Sequence, residues 1–110
     1  MKETSWSIVL LTLLAPMANA TRIDSCPTVG GMAKAVMQLR QGGVAISEPL
    51  ARAQSDFDGV TQELVVKMIT DAYEQPLMRV RENKLEAVTE FENMWTVACF
   101  NAESIEDLTG

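Results

Sequence analysis

The stretch Asp58 to Glu74, DGVTQELVVKMITDAYE, decides the fold. Its apolar side chains recur at helical spacing and form one continuous stripe, which is typical of a helix that packs against a core. Asp58 is a suitable N-cap, and Pro76 excludes itself from a helix interior and favours extended geometry at Gln75. The sequence therefore predicts a core helix from Asp58 to Tyr73 or Glu74, with its stripe made of Val60, Leu64, Val65, Met68, Ile69, Ala72 and Tyr73.

Three further helices are predicted around this one. Residues 29–41 have apolar side chains at helical spacing and end at Gly42-Gly43, which favours a helix stop. Ser47 is a suitable N-cap, and Glu48-Pro49 place an acid and a proline in the first turn. Residues 48–54 are therefore predicted to form a short helix. A long helix is expected over residues 81–100, with Leu85, Val88, Phe91, Trp95, Ala98 and Cys99 on its core side. No segment alternates with period two as a strand would. We expect a compact, irregular four-helix, all-α domain held together by one disulfide.

The first twenty residues read as an export signal rather than as part of the fold. Lys2 precedes an apolar run, and Ala18-Asn19-Ala20 fits the small-x-small pattern of a signal peptidase site. The apolar run is shorter than the roughly 20 residues of a spanning helix. We predict a signal peptide over residues 1–20, cleavage after Ala20 and a periplasmic or secreted domain over residues 21–110. Glu3 offsets Lys2, which leaves a retained membrane anchor as the alternative; after cleavage no stable membrane association is expected.

Cys26 and Cys99 are the two cysteines of the chain, and export would bring them to an oxidising compartment. They predict a disulfide that closes a long loop, worth about 4 kcal/mol in the chain-entropy model. The chain contains no CxxC and no His, so nothing in the sequence indicates a redox or nucleophilic thiol. An intermolecular bridge remains the alternative.

The composition excludes several classes of function. The chain of 110 residues has no His, which removes His-based catalytic triads and HExxH zinc sites. Its formal net charge of -6 argues against nucleic acid and anionic membranes as partners, because both are bound through clustered Lys and Arg. We expect no cofactor and no metal site: the glycines after Arg40 lack P-loop spacing, and the acids near Asp58 lack the pattern of a calcium loop.

The most interesting polar cluster lies between the two long predicted helices. Tyr73 ends one helix, Arg79 lies in the linker, Arg81 begins the next helix, and Arg40 lies in the last turn of the first helix. Tyr and Arg are enriched in binding hot spots, so Arg40, Tyr73, Arg79 and Arg81 are the candidate partner-binding residues. The competing interpretation is that Tyr73 packs on the core and the arginines pair with nearby carboxylates.

Two other patterns have ordinary explanations. Glu82, Glu86 and Glu90 form an acidic row typical of a solvated helix face, without the cleft that acid-base catalysis needs. The methionines fit a core, although Met37 and Met94 fall off the main stripes, and with Trp95 nearby they raise the question of an exposed apolar patch.

Four stretches of the chain resemble a group of small exported bacterial and phage proteins with an early and a late cysteine. These stretches are Cys26, residues 32–44 with AKAVMQLRQGGV, residues 69–76 ending in AYEQP, and residues 90–99 with EFE and the late Cys99. The resemblance implies export, a helical fold and a disulfide, and it brings no catalytic assignment.

Three functions are compatible with these features. The first is a non-enzymatic, exported interaction module for a protein partner, favoured by the missing catalytic residues and the small size. The second is an acid-stress periplasmic holdase, in which protonation of carboxylates loosens the fold and exposes apolar surface. The third is an enzyme, which the sequence disfavours because it offers no pair of nucleophile and base.

Overall fold

The computed structural model describes residues 25–109 and places them in five helices. In chain order these are α1 (Cys26–Gln41), α2 (Ser47–Asp56), α3 (Gly59–Glu74), α4 (Arg81–Asn101) and α5 (Ile105–Thr109). No strand occurs within this range. The predicted all-α fold class is confirmed, and so is the intramolecular disulfide between Cys26 and Cys99. The predicted signal peptide at residues 1–20 lies outside the described residues.

The first helix begins three residues earlier than its apolar pattern predicts. The hydroxyl of Ser25 caps it by accepting a hydrogen bond from the amide of Thr28, at 3.4 Å. Pro27 lies in the first turn, where its fixed φ suits a helix and its missing N–H is not needed. At the other end Gly43 has a φ of 78°, a left-handed conformation that favours glycine and ends the helix as expected.

The short second helix also starts differently from the prediction. Ser47 is its first helical residue, and the N-cap position belongs to Ile46, which makes no side-chain cap. The expected N-cap role of Ser47 is therefore wrong, and the helix extends to Asp56. Pro49 and Ala53 are its buried residues, so packing against α3 through a narrow face orients this helix.

The hydrophobic core lies between α1, α3 and α4, and its centre is the helix over residues 59–74. The predicted stripe of that helix is confirmed at Leu64, Val65, Met68, Ile69 and Ala72, which are all buried. From α1 come Val29, Ala33, Val36 and Met37, and from α4 come Val88, Phe91 and Trp95. Met37, expected off the stripe, is one of the most buried side chains.

Helices α1 and α4 run antiparallel and make the most extensive helix–helix contact within residues 25–109. The disulfide joins the start of α1 to the end of α4, with a Cα–Cα distance of 5.4 Å. At the opposite end the amine of Lys84 donates to the backbone carbonyl of Gln41, at 2.6 Å. Between these two points Gly30 faces Thr96 so closely that a Cβ on Gly30 would overlap the Thr96 hydroxyl. A covalent bond, a close approach and a charged hydrogen bond thus fix one register.

The core side of α4 is narrower than the sequence predicts. Leu85 and Ala98, both expected on that side, are exposed, whereas Val88, Phe91 and Trp95 are buried. At 21 residues against 16 for α1, α4 is longer than the helices that cover it, so its inner face is not covered throughout. The helix therefore leaves large apolar side chains in solvent.

The acidic tail differs from the frayed segment that we expected from about Ala102. Residues 105–109 form α5, and Leu108 is only 8 % exposed and belongs to the core cluster. The carboxylate of Asp107 accepts hydrogen bonds from the amides of Glu103 and Ser104, at 3.0 and 3.2 Å, and so caps the helix. The tail is thus ordered by the Asp107 cap and by the packing of Leu108, Ile105 and Ala102 on the core.

The close approach of α1 to α4 predicts opposite effects for two adjacent glycines. Gly31→Ala adds a methyl group in open space and should stabilise the fold by about 0.5–1 kcal/mol, because alanine favours a helix interior. Gly30→Ala should destabilise it by about 1–3 kcal/mol, because Thr96 must leave the rotamer in which its hydroxyl donates to the Glu92 carbonyl. Urea unfolding of the two variants measures the difference.

The double variant Gly30→Ala/Thr96→Ala is the control for this prediction. It removes the clashing hydroxyl and should recover most of the stability that Gly30→Ala loses. Equal stability of the two single glycine variants would contradict the close crossing of α1 and α4.

Candidate protein-binding site

A polar cluster at one end of the molecule is centred on Gln41 and contains two of the four candidate residues, Arg40 and Tyr73. The side chain of Gln41 is only 5 % exposed. Its amide nitrogen donates to the carbonyl of Pro76 at 2.9 Å, and its amide oxygen accepts from the backbone N–H of Met78 at 2.8 Å. Residues 76–78 link two helices, and their backbone groups have no helical hydrogen bonds. The side chain of Gln41, the last residue of α1, supplies partners for two of these groups.

Arg40 and Tyr73 meet beside Gln41. The guanidinium carbon of Arg40 lies 5.5 Å from the centroid of the Tyr73 ring, and its Nε donates to the carbonyl of Gln75 at 3.1 Å. The Tyr73 hydroxyl donates to the carbonyl of Val44 at 2.8 Å. Both polar groups are thus used inside the domain, where they tie α1, the following loop and the end of α3 together.

The other two candidate residues are not part of this network. Arg79 and Arg81 are exposed, and among the hydrogen bonds within residues 25–109 none comes from either side chain. The structure therefore brings together Arg40 and Tyr73 and leaves Arg79 and Arg81 at the surface nearby. Their role in partner binding stays a prediction.

The environment of Tyr73 predicts a specific alkaline titration. Burial raises the pKa of its phenol above the usual value, Arg40 opposes this rise, and Glu48 adds to it. Because the pKa of Tyr73 is higher in the folded state, the protonated phenol contributes to the stability of the fold. This contribution is complete below the unfolded pKa of about 10 and is lost as the pH rises through the folded pKa. Arg40→Met should raise the pKa of Tyr73 further, because it removes the opposing charge.

The near-ultraviolet absorbance of the phenolate measures this pKa directly, because Tyr73 is the only tyrosine of the chain. Arg52→Met, which removes a charge from an exposed residue of α2, is the control and should leave the titration unchanged. A Tyr73 pKa that stays constant or falls in Arg40→Met would show that the cation does not act on the ring.

The opposite end of the domain presents a different surface. Met94, Val97 and Phe100 are 48, 57 and 70 % exposed. Spaced three residues apart, they follow the outside of α4 over its last two turns, and we call them the outer row. Large apolar side chains that cluster in solvent mark interaction sites, whereas single ones are ordinary.

A groove of about 570 Å³ opens next to the outer row, between α3, α4 and α5. Met94 belongs to both features and connects them. The apolar lining comes from Met94, Trp95, Ala98 and Leu108. The indole N–H of Trp95 donates to Oδ2 of Asp71 at 3.1 Å, so its one polar group is satisfied and the ring is held in place. The volume of the groove lies within the range of known ligand pockets, and its lining combines apolar side chains with a few polar ones.

Negative charge surrounds this apolar surface. Asp71, Glu103 and Asp107 line the groove, with Lys67 as the base among its lining residues. The exposed acids Glu82, Glu86 and Glu90 continue along α4 in the direction of its N-terminus. With a formal net charge of -6 for the whole chain, the surface favours a basic partner over an acidic one.

Sequence reasoning identified part of this site. Met94 and Val97 were visible as apolar residues off the stripe of α4, and Trp95 stood next to them. Phe100 was missed because the predicted helix ended there, and the groove was missed because α5 was expected to be frayed. The signal that could have found them is the apolar character of the last two turns of α4 on both of its sides.

Comparisons of the chain with protein-family models, curated proteins and solved structures found no match. Within residues 25–109 no helix is long and apolar enough to cross a membrane. Over the same range no three His, Cys, Asp or Glu side chains are grouped so that they could hold a metal ion.

Proposed function

We propose that this protein is an exported, non-enzymatic binding module, and that it docks a basic protein through the outer row of α4. The observation that carries this proposal is the row itself: Met94, Val97 and Phe100 lie side by side in solvent on the helix that the disulfide anchors. A fixed helix presents such side chains without the entropic cost of ordering a loop on binding.

Charge supports a basic protein as the occupant. A second copy of the chain would bring another net charge of -6 against the same acidic surroundings, which opposes self-association through this face. A partner with Lys and Arg around an apolar patch instead gains favourable contacts with the acids beside the row. Phe100, the most exposed of the three and aromatic, is the expected hot spot.

Export is the second part of the proposal. The pattern of residues 1–20 supports it, and so does the disulfide, because such bonds persist in oxidising compartments. The partner would then be a protein of the periplasm or of the medium, which is why the binding test must use the chain exported with its own N-terminal segment.

Site-specific photocrosslinking tests the proposal. A photoreactive amino acid replaces Phe100 in one variant and Arg79 in another, and the intact mass of the exported chain first verifies that it begins at Thr21. We expect the probe at position 100 to link one defined basic protein, identified by mass spectrometry. Position 79 tests the sequence-predicted cluster in the same way. Links from position 79 alone, or links at position 100 to a second copy of the chain, would contradict the proposal.

The affinity of the crosslinked partner then measures the outer row directly. Phe100→Ser should weaken binding by roughly 30-fold, as expected for a hot spot worth about 2 kcal/mol. The matched control is Leu85→Ser, which removes another exposed apolar residue of α4 outside the row and should change binding less than about threefold. Equal losses in the two variants would mean that the row is not the docking surface.

A further inference from the structure

We propose that the groove between α3, α4 and α5 is a specific pocket for an apolar group that carries a positive charge, such as a leucine or methionine side chain flanked by lysine or arginine. This inference rests on the proposed function, since it assigns the anchor by which the basic partner would be held. The groove would bind this group next to the outer row, where the rest of the partner docks.

The lining supplies the apolar half of this specificity. Trp95 and Leu108 are buried against the core, and the exposed Ala98 adds no bulk to the groove. Burial of an aliphatic chain there removes apolar surface from water at about 25 cal/mol per Å². Asp71 holds the Trp95 indole in place, and the capped helix α5 holds Leu108. The apolar side of the groove is therefore formed before a ligand binds.

The acidic residues of the lining supply the specificity for a positive charge. Of the two carboxylate oxygens of Asp71, only Oδ2 accepts a hydrogen bond within residues 25–109. Oδ1 can therefore accept one from a donor outside the domain. Glu103 and Asp107 line the same groove, and with Lys67 the formal charge of the lining is negative. A cation attached to the apolar group would therefore be attracted and an anion repelled.

Three small probes with six carbon atoms each separate these contributions: hexylammonium, hexanol and hexanoate. Binding is followed by nuclear magnetic resonance through the indole N–H signal of Trp95, in the exported chain with Trp6→Phe, so that Trp95 is the only tryptophan whether or not residues 1–20 are removed. We expect saturable shifts at millimolar concentration, with hexylammonium about threefold to fivefold tighter than hexanol, as for a partly exposed ion pair, and hexanoate weakest.

Two groove variants test the roles of named residues. Asp71→Asn keeps an oxygen that can accept from the Trp95 indole and removes one of the three acidic charges, so the preference for hexylammonium over hexanol should shrink while the affinity for hexanol is unchanged. Ala98→Leu fills the groove from an exposed helical position and should abolish the shifts from all three probes.

Phe100→Ser, in the outer row, separates this inference from the proposed function. It should leave hexylammonium binding unchanged, because Phe100 does not line the groove. Equal affinity for the three probes, tightest binding of hexanoate, or an unshifted Trp95 signal would overturn the pocket while leaving the outer row intact. Loss of partner crosslinking with preserved hexylammonium preference would instead overturn the docking surface alone.

Discussion

The pairing of α1 with α4 is the constraint on which the rest of the molecule depends. The disulfide fixes the two helices at one end, Lys84 and Gln41 at the other, and the contact of Gly30 with Thr96 lets the backbones approach in between. With these two helices antiparallel and in register, their inner faces form one apolar surface. The central helix α3 covers that surface, and α2 and α5 pack on α3 in turn.

The two ends of this helix pair have different chemical characters. At the end with Gln41, Arg40 and Tyr73, polar side chains satisfy the linker before α4, and their hydrogen bonds lie inside the domain. At the disulfide end, α4 runs on with apolar side chains on its outside. The end whose polar groups are hydrogen-bonded inside the domain contributes to stability. The end with apolar side chains in solvent is suited to binding. The disulfide therefore fixes the end of α4 at which we propose that a partner docks.

Much of the fold could be predicted from the sequence because its helices have strong local signals. The stripe of α3 and its stop before Pro76 specify that helix almost completely, and two cysteines in one chain allow one internal bridge. The errors have physical causes. Ser47 resembles a cap, but the chain enters the helix one residue earlier, and α5 is ordered by Leu108 and Asp107 through contacts that no local pattern contains.

The candidate site was less predictable than the fold. Arg40 and Tyr73 were singled out as binding residues, and the structure brings them together in contacts internal to the domain. Gln41 escaped notice because a buried glutamine looks like any polar residue at a helix end. The groove depends on three helices at once, so only their arrangement in space reveals it.

Amide hydrogen exchange along α4, before and after reduction of the disulfide, tests most directly whether the bridge holds the C-terminal end of the helix, where we propose docking. The account predicts that reduction accelerates exchange mainly in residues 94–101 and in the first turn of α1. The amides around Val88 and those of α3 should keep most of their protection, because Lys84, Gln41 and the core still hold that end. Unchanged exchange in residues 94–101, or an equal loss along all of α4, would contradict this account.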